Sequence, residues 1–301
     1  MTLDEWLGQS EARLREGPHP ERARRDAEVL LLHKIGKNKA WLMAHAGDEF
    51  AGCTAIGYAA LVERRQKGEP IQYITGEAEF YGLPFRVTRD VLIPRPETEH
   101  LVERTLEMVG APSFPRILRK GRESNQFESP PTSCRILDIG TGCGAIAVAL
   151  AAHLPKANVT ATDISDFALA IARENASRNH VADRIRFLKG DLLAPLAGEQ
   201  FDIIVSNPPY VPETDQATLS VEVREFEPAL ALFAGDDGLD IYRRLIPCAF
   251  DALVPGGFIV FEIGYGQQEA VRNLLSSAGF SDVGFVADLQ GIPRVAHAQR
   301  N

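Results

Sequence analysis

The residues of this 301-residue chain best equipped for chemistry are Asn207, Pro208, Pro209 and Tyr210. Asn207 offers one acceptor and two donors, and Tyr210 a flat ring with a polar tip. Pro208 and Pro209 have a fixed φ and no N–H, so the run Phe201–Ser206 must stop there as a strand, with the proline carbonyls held in set directions. Such a corner can hold a planar amide or amino group by its hydrogens and cover its face. Alone, the tetrapeptide also reads as a strand-ending turn. What stands upstream favours chemistry.

Upstream, Gly140-Thr141-Gly142-Cys143-Gly144 lies between an expected strand, 135–139, and an expected helix, 145–154. Glycines there permit a tight turn and let a ligand approach the backbone and the helix N-terminus. Asp163, 23 positions after Gly140 and at the end of the second strand, is placed to accept hydrogen bonds from ribose hydroxyls. The spacing Gly140-x-Gly142-x-x-Ala145 also fits a dinucleotide fingerprint, so the loop alone leaves NAD open. Nothing downstream reads as hydride chemistry, whereas Asn-Pro-Pro-Tyr after the fourth strand fits methyl transfer. Ligands of open α/β sheets bind beyond the carboxyl ends of the strands. Loops after strands one to four would therefore bring Gly140–Gly144, Asp163, Asp191-Leu192 and Asn207–Tyr210 to one rim.

The elements that must position these groups follow from periodicity. From 135 onward strands (135–139, 159–164, 185–189, 201–206, 258–263) alternate with helices (about 165–179, 237–253, 267–278), which predicts an α/β, Rossmann-like, mostly parallel sheet covered on both faces. Residues 283–286 and 294–298 are expected as two final strands, one of them antiparallel. Residues 1–70 read as a helical bundle. Thr2 with Glu5 has capping-box spacing, Pro18-His19-Pro20 breaks the first helix, and Gly36 ends the second. The arginines at 22, 24 and 25 are expected on a solvated face. Residues 71–95 mix β-formers with turn residues and are expected as a β-hairpin linker, with Pro96 opening the next helix and Arg95 and Glu97 bracing the interdomain turn. Residues 110–134 carry four prolines and few large apolar groups, and are expected as an exposed loop of the 96–301 domain.

Composition bounds the rest. A net charge of -9 and a pI near 5.4 argue against broad electrostatic binding to nucleic acid. Cys53, Cys134, Cys143 and Cys248 are far apart, with no C-x-x-C, so neither a disulfide framework nor a metal site is expected. The N-terminus lacks the basic and apolar regions of a signal peptide, and no uncharged apolar stretch reaches the roughly 20 residues of a membrane span. A cytoplasmic monomer is expected.

Taken together, these motifs resemble the class I S-adenosylmethionine-dependent methyltransferases, in the branch that methylates amino groups. The resemblance narrows at Glu69–Gly76, Leu92–Glu99, Asp138–Gly144, Ser206–Tyr210 and Phe226-Glu227-Pro228-Ala229-Leu230, which look like the bacterial PrmC/HemK family over nearly the whole chain. That family methylates the side-chain amide nitrogen (N5) of the glutamine in the Gly-Gly-Gln motif of peptide chain release factors. The resemblance implies that Gly140, Thr141, Gly142, Cys143, Gly144, Asp163 and Leu192 bind S-adenosyl-L-methionine. Asn207 would border both ligands, Asn207, Pro208, Pro209 and Tyr210 would hold the glutamine, and the helical bundle would recognise the protein substrate. Two other readings remain at this level: glutamine methylation of a ribosomal large-subunit protein, and adenine-N6 methylation of DNA or RNA, which would call for a basic surface and a flipped base.

Overall fold

The computed structural model describes residues 1–111 and 133–301, and all but the ends of the expected loop 110–134 lies outside them. The described chain divides into two compact units, Met1–Glu77 with Thr218–Glu227, and Ala78–Ala217 with Pro228–Asn301. The expected hairpin 71–95 is shorter in the structure. Ile71–Thr75 is helical, because Pro70 at its start supplies the N-cap and Gly76, at φ 76°, turns left-handed to end it. Only Glu77–Phe80 and Leu83–Arg86 pair as strands.

The first unit is built on helices α1 (Leu3–Arg15), α2 (Ala23–Ile35), α3 (Lys39–His45), α4 (Gly52–Gln66) and α5 (Ile71–Thr75). The Thr2 hydroxyl accepts the Glu5 N–H and the Glu5 carboxylate accepts the Thr2 N–H, a complete capping box. Leu3, Leu7 and Leu14 of α1 meet Ala27, Leu30 and Leu31 of α2 and Tyr58 and Val62 of α4 in one core. Arg22, Arg24 and Arg25 are exposed, as expected. A charge cluster is buried beside this core. The Arg65 guanidinium, 3% exposed, binds the Asp26 carboxylate at 2.6 Å, the Glu69 carbonyl at 3.0 Å, and the Glu222 carboxylate on the short helix Val221–Phe226. Several acceptors around one planar fork offset the desolvation that a buried charge costs.

The second unit opens with the two strands just described, β1 (Glu77–Phe80) and β2 (Leu83–Arg86), followed by helix α6 (Glu99–Met108). A seven-stranded sheet then follows: β3 (Arg135–Ile139), β4 (Asn158–Asp163), β5 (Ile185–Lys189), β6 (Phe201–Ser206), β7 (Leu253–Glu262), β8 (Phe280–Ala287) and β9 (Pro293–Arg300). Their order is β5-β4-β3-β6-β7-β9-β8, and β9 alone runs opposite to the other six. Helices α7 (Ala145–His153), α8 (Asp166–Arg178), α9 (Asp240–Ala252) and α10 (Gln268–Ser277) complete the unit. Period-two alternation assigns the faces. Leu137, Ile139, Ile204, Ile259 and Phe261 pack on Tyr242, Leu245 and Ile246 of α9 and Val271 and Leu275 of α10. On the other face Asp138 turns toward α7, whose Ala147 N–H it accepts at 3.2 Å. The order reverses at β3, with β4 on one side and β6 on the other, so a crevice opens beyond their carboxyl ends.

Candidate active site

Helix α7 begins where β3 ends, and the intervening loop folds onto the end of β4. The Gly140 and Thr141 N–H groups each reach the Thr162 carbonyl at 2.9 Å, and the Gly142 N–H reaches Asp163 Oδ2 at 2.8 Å. Gly140 and Gly142 hold φ of 70° and 55°, which only glycine adopts without strain, and an added Cβ at either would meet open space. Gly144 has a different task. At φ 83° its missing Cβ would stand 3.1 Å from the Ala172 Cβ, so glycine lets α8 pack on the loop.

Asp163 is fixed from both sides, its second oxygen accepting the Ser165 N–H at 2.9 Å. Burial raises its carboxyl above the ordinary range, and these backbone donors pull it back. Asp138 is more deeply enclosed. Burial lifts its carboxyl to about 7, against the Thr141 hydroxyl at 2.6 Å and the Ala147 N–H, and its Oδ1 has no partner among the described residues. The Cys143 thiol is likewise pushed up by burial, to about 12, so it is inert and contributes through its backbone.

Two asparagines hold the site from opposite sides. Asn175 of α8, fully buried, donates to the Cys143 carbonyl at 2.8 Å and the Arg86 carbonyl at 2.9 Å, and accepts the Arg86 N–H at 2.7 Å. One amide thus ties β2 and the glycine loop to α8. Asn207 follows β6, whose Ser206 hydroxyl donates to the Ile139 carbonyl at 2.7 Å and so binds the ends of β6 and β3 together. The Asn207 amide donates to Thr98 Oγ1 at 3.1 Å, and the Thr98 hydroxyl donates to Glu262 Oε2 at 2.6 Å. The Tyr210 hydroxyl donates to the other oxygen of Glu262 at 3.0 Å. Gln267 braces the same corner, donating to the Tyr210 carbonyl at 3.0 Å while accepting the Gly264 N–H at 2.9 Å. Burial raises the Glu262 carboxyl, opposed by the Thr98 and Tyr210 donors, and burial beside Glu262 drives the Tyr210 phenol far above its usual value.

A cavity of about 430 Å³ lies between these groups. Gly140, Thr141, Gly142, Cys143, Asp163 and Leu192 line it together with Asn207, Pro208 and Pro209. Thus two of the sequence-derived set, Gly144 and Tyr210, are not among the lining residues. Gly144 is packed on Ala172, and the Tyr210 hydroxyl is committed to Glu262. Leu192 reaches the cavity with a left-handed φ of 51°, its carbonyl accepting the Thr162 hydroxyl at 3.2 Å. Thr98, Glu262, Gln267 and Asn175 were not found from sequence. In the sequence the stretch Arg95-Pro96-Glu97-Thr98-Glu99 reads as a helix start at Pro96 braced by Arg95 and Glu97, and Glu262 as part of the strand 258–263. A larger groove, about 1310 Å³, runs along the first residues of β3, β4, β5 and β6. It holds none of the glycine loop or the proline corner, so its size does not make it the site.

A glycine loop, a strand-end acid and an Asn-Pro-Pro-Tyr corner around one crevice of this sheet define a Rossmann-like methyltransferase. Solved structures share the fold. The hMettl16 catalytic domain superposes with a TM-score of 0.55 at 18% identity, over 82% of each chain, and a methyltransferase from Pyrococcus furiosus with 0.51 at 20% identity, over 73% of this chain and 90% of that one. Residues 5–76 match the PrmC N-terminal domain and residues 125–232 the methyltransferase small domain. Proteins named release factor glutamine methyltransferase from Moorella thermoacetica (43% identity, 93% of this chain and 91% of that one), Koribacter versatilis (40%, 98% and 97%) and Salmonella typhimurium (40%, 98% and 98%) are similar over nearly their whole length. The chain belongs to the release factor glutamine methyltransferase family. Among the described residues no helix is long and apolar enough to cross a membrane.

Proposed function

We propose that this chain transfers the methyl group of S-adenosyl-L-methionine to the side-chain amide nitrogen of the glutamine in the Gly-Gly-Gln motif of peptide chain release factors, and that the N-terminal unit recognises that protein. The observation that carries the reading is the single cavity lined by the glycine loop, Asp163 and Leu192 together with Asn207 and Pro208. The residues fit the cofactor. Open space at Gly140 and Gly142 admits a ligand against the backbone, and Asp163 offers a carboxylate to ribose hydroxyls. A volume near 430 Å³ is in the range of small-molecule sites.

When bound, the cofactor supplies a methyl group on a sulfonium with a neutral thioether leaving group. The chain's own task is alignment, because a glutamine amide nitrogen is a weak nucleophile whose lone pair is delocalised. Positioning of this kind is worth about 7–11 kcal/mol in favourable cases. The Asn207 oxygen and the Pro208 carbonyl accept the two amide hydrogens. As the C–N bond forms and the C–S bond breaks, the nitrogen becomes positive and these two acceptors oppose its charge. The nitrogen then releases a proton to water, so no side chain is assigned as a base.

The test uses methyl-labelled S-adenosyl-L-methionine with three acceptors: a release factor, the same factor with the Gly-Gly-Gln glutamine replaced by alanine, and a DNA oligonucleotide. Label is expected in the first alone. Label in the oligonucleotide, or equally in the alanine variant, overturns the substrate. Asn207→Ala is expected to abolish most turnover while retaining cofactor binding, and normal turnover refutes its role.

A further inference from the structure

We infer that Glu262, acting through Thr98, fixes which end of the Asn207 amide meets the substrate, so that both are positioning residues for the transfer. The inference rests on the function proposed above and adds a cause for the direction in which the site grips its ligand.

Asparagine is ambiguous at its tip. Its oxygen accepts, its nitrogen donates, and the two ends are nearly the same shape. A site that must hold the hydrogens of an amide nitrogen needs the oxygen outward. Nothing in Asn207 itself secures that. Thr98 does not secure it alone either, because a hydroxyl can donate to the asparagine oxygen as readily as it accepts from the nitrogen. The deciding group is one step further back. Glu262 is 2% exposed, and a hydroxyl donor on each of its oxygens holds it against burial as the carboxylate, which only accepts. Its Oε2 takes the Thr98 hydrogen at 2.6 Å, and its Oε1 takes the Tyr210 hydrogen at 3.0 Å. With its one hydrogen committed, Thr98 can offer Asn207 only lone pairs. The Asn207 nitrogen therefore turns to Thr98, at 3.1 Å, and Oδ1 remains for a ligand in the cavity that Asn207 and Thr98 both line.

The second arm of the carboxylate serves the same end. Tyr210 stands three residues past Asn207, and its hydroxyl on Glu262 anchors the far end of the Asn-Pro-Pro-Tyr turn to the acid that orients the near end. The acid is itself held from outside the site. The Tyr242 hydroxyl of α9 donates to the Glu262 carbonyl at 2.9 Å, fixing the end of β7. The pieces come from the approach to α6, the end of β6 and the end of β7, so the direction of one amide is set by the tertiary fold.

The experiment compares Thr98→Val, Thr98→Ser and Glu262→Gln with the parent chain, reading kcat on a release factor, affinity for S-adenosylhomocysteine by calorimetry, and Tm. Valine keeps the shape and removes the hydroxyl, serine keeps the hydroxyl, and glutamine replaces the acceptor-only group with one that also donates. Thr98→Val and Glu262→Gln are expected to lower kcat by roughly tenfold to a hundredfold, the range that one oriented hydrogen bond to developing charge carries. Affinity for S-adenosylhomocysteine is expected to stay within about twofold, since the glycine loop, Asp163 and Leu192 are unchanged. Thr98→Ser is expected to recover most of the turnover, which a packing role for the threonine methyl would not allow. If Thr98→Val melts early, Glu262→Gln and Thr98→Ser answer the same question at a temperature where both are folded. The inference is overturned if Thr98→Val and Glu262→Gln turn over like the parent, if the loss appears in S-adenosylhomocysteine affinity instead of kcat, or if Thr98→Ser is as poor as valine. A parent chain that methylates no release factor removes the proposed function and this inference together; an active parent with an equally active Thr98→Val removes the inference alone.

Discussion

Replacing Asn175 by alanine should loosen the glycine loop from behind without changing any residue that lines the cavity. The side chain is fully buried and makes three hydrogen bonds of 2.7 to 2.9 Å, to the N–H and carbonyl of Arg86 and to the carbonyl of Cys143. Alanine leaves the buried Cys143 carbonyl without that donor and hands the part-buried Arg86 N–H and carbonyl over to solvent. The buried carbonyl costs about 1–3 kcal/mol, and the two part-buried groups recover most of theirs from water, so a loss of about 2–3 kcal/mol is expected. Against a total of roughly 5–15 kcal/mol for a folded domain this is large. The assay is urea unfolding followed by far-UV circular dichroism and by tryptophan fluorescence. Both tryptophans, Trp6 and Trp41, lie in the first unit, so fluorescence follows that unit while dichroism follows both. The dichroism transition should move to lower urea, and S-adenosylhomocysteine should bind more weakly because the Cys143 peptide has lost its tether. A destabilisation below about 1 kcal/mol would refute the reasoning, since that is less than one buried unpaired group is worth.

Three further outcomes follow from the same geometry. Asp163→Ala removes the acceptor of the Gly142 and Ser165 N–H groups as well as the proposed ribose contact, so calorimetry should show S-adenosylhomocysteine affinity falling at least about tenfold; unchanged affinity rejects the contact. Gly144→Ala forces a Cβ to 3.1 Å from Ala172 at a φ of 83°, and thermal melting should show a loss of about 2–4 kcal/mol from strain and crowding together. Burial lowers the His297 imidazole to about 4, with Arg104 adding to the effect. Its folded-state value lies below its unfolded one, so its contribution is fully present above about 6.5 and is lost as the pH falls through about 4. Melting curves across that window should be flatter for His297→Gln than for the parent.

How much of this could be read in the sequence depended on the range of the interaction. The strands at 135–139, 185–189 and 201–206 are continuous apolar or alternating runs closed by glycine or proline, and they lie where expected. Ile71–Thr75 was misread because its β-branched and aromatic residues suggest a strand, while Pro70 and Gly76 at its ends carry the helical signal. Proline spacing after β6 marked the Asn207 corner, since its stiffness is local. The Thr98–Glu262 bond spans 164 residues and the Asn175–Cys143 bond 32, and neither leaves a trace in local patterning. Glu222 shows the same limit. It stands between the proline corner and α9 in sequence, yet it folds with the N-terminal helices around Arg65, and no composition shift announces the excursion.

The central claim is that one crevice brings an activated methyl group up to the amide-holding corner at Asn207. A crystal structure with S-adenosylhomocysteine tests it most directly. The ligand is predicted in the cavity of about 430 Å³, with its ribose on Asp163 and its sulfur facing Asn207 and Pro208. Density for it in the groove along Arg135, Arg186 and Phe201 instead, or a sulfur turned away from Asn207, would contradict the account.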